Sequence, residues 1–169
     1  MSAIPVKRCS NFGVHILYLY HFMKKTISFK SKYGWISAIE NENKIISLLF
    51  EKKKNYGNSK SLSLLKKQVN QYFEKKTKTF NVKISLTGSN LHKKILREIS
   101  KIPYGKVKTY KEIANIFKTS PRYVGNVCSK NKHLIIVPCH RVIRTDGSLG
   151  GFSAKGGISL KKKLLIFEK

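Results

Sequence analysis

The chain has 169 residues, with 35 Lys plus Arg against 8 Asp plus Glu, a formal charge of +27 and a sequence pI near 10.2. A surface this positive repels basic partners and attracts phosphate polymers or anionic lipid heads. Hydrophobic residues at 41% and aromatics at 11% exclude a disordered basic tail, and the length suits one full domain or two small ones.

Residues 1–25 differ in pattern from the rest of the chain and read as an extension. Within it Phe12 to Met23 is an apolar run of 12 residues, too short to span a bilayer, and Lys24-Lys25 follows where a signal-peptide cleavage site should lie. Met23 is an alternative start, and residues 1–22 are expected to be dispensable. From Thr26 an antiparallel meander is predicted: a strand, a turn at Tyr33-Gly34, a strand Trp35–Glu40, a turn at Asn41–Asn43, and a strand Lys44–Phe50. Lys52–Ser61 reads as a polar loop. Leu62–Lys75 carries Leu62, Leu65, Val69, Tyr72 and Phe73 at helical spacing, a face to pack on the meander. Phe80–Leu86 alternates like a strand, and Thr87-Gly88-Ser89-Asn90 breaks the chain at a boundary between residues 26–88 and 89–169.

The second half reads as helical. Leu91–Ile102 has one apolar face, ended by Pro103-Tyr104-Gly105. Thr109 and Glu112 are spaced as a capping box at a helix start. Ser120-Pro121 then suits an N-cap followed by proline at the first helical position. Thr109–Lys130 is thus two short helices with a tight turn, shaped like a helix-turn-helix. On spacing alone Arg122 is either near DNA or a solvated surface charge.

Cys9, Cys128 and Cys139 are too few and too irregular for a disulfide framework or a CxxC metal site, which favours a reducing compartment and a soluble cytoplasmic protein. After the buried-looking run His133–Val137 comes Pro138-Cys139-His140-Arg141-Val142. An imidazole beside a thiol invites nucleophilic chemistry, while a cysteine among apolar residues is also a common small core residue.

The segment VPCHRVIRTDGSLGGFS, continuous with IPYGKVKTYKEIA and SPRYVGNVCSKN, resembles the active-site region of the O6-alkylguanine-DNA alkyltransferases, the methylated-DNA–protein-cysteine methyltransferases. The resemblance covers residues 91–168 strongly and 26–86 more loosely. It implies an α+β fold: a small N-terminal α/β domain with an antiparallel, ribonuclease H-like sheet, then a helical domain carrying the helix-turn-helix. It implies stoichiometric, irreversible alkyl transfer from O6-alkylguanine, with O4-alkylthymine a further candidate, after base flipping. The partner implied is double-stranded DNA, approached through the minor groove by a monomer without a cofactor or membrane.

By the same resemblance Cys139 is the alkyl acceptor, His140 removes its proton through a water, Glu168 orients the imidazole, and Tyr110 donates to guanine N3. The implied substrate- and DNA-binding set is Arg122, Asn131, Arg141, Val142, Ser153 and Phe152. Arg122 fills the gap left by the flipped base, and Asn131 ties the helix-turn-helix to the active-site loop. Cys139 and Val142 offer carbonyls to the guanine amino group, Ser153 offers an amide to O6, and Phe152 keeps a ring on the pocket wall. Arg141, with Lys130 or Lys132, is expected at phosphates. Tyr123 and Lys132 depart from the family's usual small residue and proline. Some relatives hold a structural zinc, but Cys9, His15 and His21 have helical rather than ligand-like spacing, so no metal is expected.

Two other readings stand beside this one. A non-enzymatic lesion-binding protein of the alkyltransferase-like type shares the fold but replaces the cysteine, often by Trp. A cysteine hydrolase would turn over, and a regulatory helix-turn-helix protein would prefer one DNA sequence. The charge is spread evenly, +13 over residues 1–86 and +14 over 87–169, with 30 Lys to 5 Arg, so much of it reads as background composition.

Overall fold

The computed structural model describes residues 24–169. The expectations for the leading extension, including the spacing of Cys9, His15 and His21, lie outside the described residues. The meander is formed by β1 (Lys25–Ser31), β2 (Gly34–Asn41) and β3 (Lys44–Leu49), antiparallel and adjacent in chain order. Glu42 and Asn43 join β2 to β3 with φ of 50° and 60°, the left-handed pair that lets a two-residue turn match the twist of its strands. Phe29, Ile36, Ala38, Ile45 and Leu48 are buried on the sheet.

Against the sheet packs α1 (Lys60–Phe73), burying Leu62, Leu65, Val69 and Tyr72. It starts two residues before the expected Leu62 because the Ser59 hydroxyl caps it, accepting the Leu62 amide at 3.1 Å. It stops before the expected Lys75, which takes a left-handed φ of 59°.

The strand expected over Phe80–Leu86 does not form. Only one bridge is made: the Ile45 amide donates to the Lys83 carbonyl and the Ser85 amide to the Ile45 carbonyl, each at 2.8 Å. Pairing cannot extend along β3, because Leu48 is already bonded to another segment. Its amide donates to the Lys132 carbonyl at 2.7 Å, and its carbonyl accepts the Leu134 amide at 3.0 Å. A loop from far along the chain, residues 132–134, takes that edge at Leu48.

The second half contains α2 (Asn90–Ser100), α3 (Tyr110–Ile116), α4 (Pro121–Ser129) and α5 (Gly157–Phe167). A two-residue parallel ladder links β4 (Lys108–Thr109) to β5 (Val142–Ile143). The architecture is α+β, a small antiparallel sheet followed by a helical part. No helix among the described residues is long and apolar enough to cross a membrane.

Candidate active site

Two local devices aim the site. At the start of α3 the Thr109 amide donates to the Glu112 carboxylate at 2.6 Å while the Thr109 hydroxyl accepts the Glu112 amide at 3.1 Å, the reciprocal capping box. Thr109 also lies in β4, whose ladder to β5 fixes Tyr110 beside the 3₁₀ turn Cys139–Arg141 that precedes Val142. At the start of α4 the Ser120 hydroxyl accepts the Tyr123 amide at 3.1 Å, with Pro121 next to it. Between these elements lies a cleft of about 650 Å³, whose walls include Tyr110, Arg122, Cys128, Cys139, Phe152 and Ser153.

The loop from α4 to Cys139 is fastened by Asn131. Its side-chain amide donates to the Val137 carbonyl at 2.8 Å and to the Cys139 sulfur at 3.2 Å, and its oxygen accepts the His133 amide at 2.9 Å. The loop holds Ile135 at φ 72°, a conformation a β-branched residue adopts at a cost on the order of 1–3 kcal/mol. The Val137-to-His133 backbone bond at 2.8 Å, the Asn131 contacts and the docking on β3 together hold it there.

Cys139 is 2% exposed, and burial pushes its thiol up, against the lowering effects of the Asn131 hydrogen bond and the Lys161 charge. At rest it is a thiol. The neighbouring His140 is fully buried, and its Nε2 lies 2.9 Å from Glu168 Oε1. Burial would raise the Glu168 carboxyl, but hydrogen bonds from His140, Arg141 and Tyr72 outweigh it and hold the group well below the usual carboxylate range. Burial likewise lowers His140, only partly opposed by Glu168, so the ring is neutral near pH 7. A protonated thiol and a neutral imidazole thus stand side by side in the chain.

On the other wall Tyr110 is pushed up to about 12, first by burial and then by Cys128 and Cys139. Its hydroxyl oxygen accepts a hydrogen bond from Lys161 at 3.4 Å. Lys161 is completely buried, and burial lowers its proton affinity. It also donates to the Val142 carbonyl at 2.6 Å and to the Gly151 carbonyl at 3.5 Å. One ammonium thus ties α5 to the tyrosine wall, the turn after Cys139 and the glycine-rich segment over the cleft.

Of the outward-facing set, Arg122 is exposed at the second residue of α4, and half-buried Phe152 and exposed Ser153 line the cleft. Tyr123 is half-buried, with its hydroxyl 3.5 Å from the Ser89 hydroxyl. It turns toward the N-terminus of α2 and leaves the cleft unobstructed. Lys130 and Lys132 are exposed.

One expectation needs correction. Arg141 does not reach out to phosphate: it is 4% exposed, and its Nε and Nη2 donate to Glu168 Oε2 and Oε1, both at 2.8 Å. Its remaining nitrogen, Nη1, donates to the Ile102 carbonyl at 2.5 Å. A bidentate carboxylate offered inside the fold outcompetes solvent for a planar guanidinium. Asn131 is also buried, with its side chain on the Cys139 sulfur and the loop that leads to it. The Val142 carbonyl accepts Lys161 with one of its two lone pairs and keeps the other.

Sequence reasoning missed Lys161, Tyr72 and the cleft-lining Cys128 and Arg144. A signal for Lys161 was present: it lies seven residues, two helical turns, before Glu168 and next to buried Leu160.

Residues 19–86 match the family model for the 6-O-methylguanine DNA methyltransferase ribonuclease-like domain, and residues 90–169 match the one for its DNA binding domain. A methylated-DNA–protein-cysteine methyltransferase of Sulfolobus acidocaldarius is 44% identical over 142 residues, covering 83% of this chain and 90% of that protein. One of Metallosphaera sedula is 37% identical over 144 residues, with the same coverage. The crystal structure of the Mycobacterium tuberculosis O6-methylguanine methyltransferase superposes with a TM-score of 0.77 at 29% identity, covering 87% of this chain and 93% of that one. The OGT of the same organism, in complex with DNA, superposes at 0.75 and 29% identity over 85% and 92%.

Proposed function

This chain belongs to the 6-O-methylguanine DNA methyltransferase family, and we propose that it repairs double-stranded DNA by direct reversal, moving the alkyl group of an O6-alkylguanine onto Cys139 once per molecule. One observation carries the reading: the Cys139 thiol lines a cleft shared with Tyr110 and Arg122, and the adjoining His140 is bonded to Glu168.

An O6-alkyl group inside a duplex is out of reach, so the nucleotide turns out of the stack into the cleft. Arg122 enters the gap it leaves. Helix α4 lies in the minor groove, where width and phosphates matter more than base identity, as a search for lesions in any sequence requires. Exposed Lys130 and Lys132 supply phosphate contacts.

The thiol proton passes through a bridging water to His140, whose imidazolium Glu168 stabilises. The sulfur then attacks the alkyl carbon: the S–C bond forms, the C–O6 bond breaks, and its electron pair moves onto O6 and the purine. The guanine takes up one proton at a ring nitrogen, so the thiol's proton balances the transfer without a cofactor. Tyr110 donates to N3 as charge builds there, and the Lys161 bond to its oxygen leaves the hydroxyl hydrogen free to point at the base. The product is a stable thioether. Each molecule acts once, as a monomer in the cytoplasm.

Lesion binding without transfer is disfavoured, because the acceptor position holds a cysteine. The test is incubation with a duplex containing O6-methylguanine followed by intact mass spectrometry and peptide mapping. A single methyl adduct on the peptide containing Cys139 supports the proposal, and an unmodified protein overturns it.

A further inference from the structure

We infer that Tyr72, on α1 in the sheet-bearing half, is a positioning residue for alkyl transfer, holding Glu168 and through it the His140 imidazole. The inference rests on the proposed alkyl transfer to Cys139. The Tyr72 hydroxyl donates to Glu168 Oε1 at 2.5 Å across 96 residues of chain. That oxygen also accepts His140 Nε2 at 2.9 Å and Arg141 Nη2 at 2.8 Å. Three donors thus converge on one carboxylate oxygen, and one of them comes from the half that carries none of the residues lining the Cys139 cleft.

Packing does not require this hydroxyl. The ring of Tyr72 is completely buried among Phe73, Phe80, Tyr104 and Phe167, with centroids 5.1–6.0 Å away. The other buried residues of α1 are Leu62, Leu65 and Val69, so a phenylalanine would satisfy the same face. What tyrosine adds is a single donor aimed at Glu168.

The chemical consequence has a definite sign. A donor on Oε1 draws electron density from the carboxylate and weakens its pull on the His140 Nε2–H. Removing that donor lets Glu168 stabilise the imidazolium more, so His140 takes a proton at higher pH and is lost as a base sooner on acidification. Glu168 is faced by His140 and Arg141 from the 3₁₀ turn, by Tyr72 from α1, and by the Gly105 amide and Tyr104 from the segment after α2. The charges acting on His140 are those of Glu168, Arg141 and Lys161. Only the Tyr72 bond is altered by Tyr72→Phe.

The experiment measures single-turnover methyl transfer from an O6-methylguanine duplex between about pH 5 and 9, together with ¹⁵N NMR titration of His140, on the full chain. Tyr72→Phe is expected to move the acid limb of the rate profile, and the His140 titration, upward by about half to one pH unit. Replacing Tyr72 with 3-fluorotyrosine, a stronger donor, should move both downward. Phe73→Leu, which trims the same aromatic cluster without touching Glu168, should lower the melting temperature and leave both profiles in place. Superimposable wild-type and Tyr72→Phe profiles, or an equal shift in Phe73→Leu, would overturn the inference. If the wild type forms no Cys139 adduct, the proposed function fails, and the NMR titration still decides whether Tyr72 acts on His140.

Discussion

His140 offers Nε2 to Glu168 Oε1 at 2.9 Å, while Nδ1 on the opposite edge of the ring is buried without a partner in the protein. Glu168 is held ionised and can only accept, so Nε2 carries the hydrogen and Nδ1 the lone pair. The carboxylate thereby selects the tautomer in which the ring can serve as a base away from itself. The two residues lie 28 positions apart in the chain, and α5 brings them together.

Glu168→Gln should damage both chemistry and folding. Losing the group that selects the tautomer and stabilises the imidazolium is expected to slow transfer by ~10²–10⁴-fold. Arg141 would be left as a buried charge without its carboxylate, costing about 3–5 kcal/mol. Single-turnover rates and urea unfolding check the two effects separately, and an unchanged rate in folded protein would remove Glu168 from the mechanism.

Lys161→Met keeps the length of the chain and removes its donor. The Val142 carbonyl loses its 2.6 Å bond inside the fold, a loss of about 1–3 kcal/mol. The cleft should loosen as well, since the same nitrogen holds Tyr110 and the Gly151 carbonyl. We expect a lower melting temperature and slower transfer from both duplex and free base. A stability equal to wild type would show that these contacts contribute nothing net.

Arg122 is exposed on α4 at the cleft wall, outside the hydrogen-bonded set of His140, Arg141 and Glu168. Arg122→Ala is therefore expected to slow repair in duplex DNA by roughly 10-fold or more while changing the reaction with free O6-benzylguanine by less than about 3-fold, because only the duplex demands extrusion of the base. Equal slowing of both would deny it a part in flipping.

Acid should destabilise the fold in two stages. Burial lowers the proton affinity of His140 and His133, so below about pH 6.5 the unfolded chain binds protons that the folded one does not. Glu168, held low by its donors despite its burial, adds the same sign below about pH 4.3, where an unfolded glutamate protonates. The urea midpoint should fall from neutrality toward pH 6 and more steeply below pH ~4.5, and a midpoint flat across that range would contradict the buried neutral histidine.

Local signals in the sequence are legible because they act over three or four residues. Thr109 with Glu112, and Ser120 with Pro121, set helix starts whatever the rest of the chain does, and the alternation of residues 26–49 is enough for the meander. What depends on distant partners is not legible. The segment 80–86 alternates like a strand, but the edge it would join is taken by residues 132–134. Arg141 looks like a surface charge until the closing helix presents Glu168 to it. Tyr72 falls on an apolar helical face and reads as core, which its ring is, while the bond made by its hydroxyl spans most of the chain. Lys161 shows the same limit: its type suggests solvent, and the three acceptors that keep it inside come from three separate segments.

The central claim is a transfer that happens once. Titrating the protein with an excess of duplex containing O6-methylguanine, and counting restored guanines per protein molecule, tests it most directly. The count should plateau at one, with the methyl group on Cys139 and with Cys139→Ser binding the duplex but restoring none. A count that continues to rise with time, or restoration by Cys139→Ser, would contradict the account.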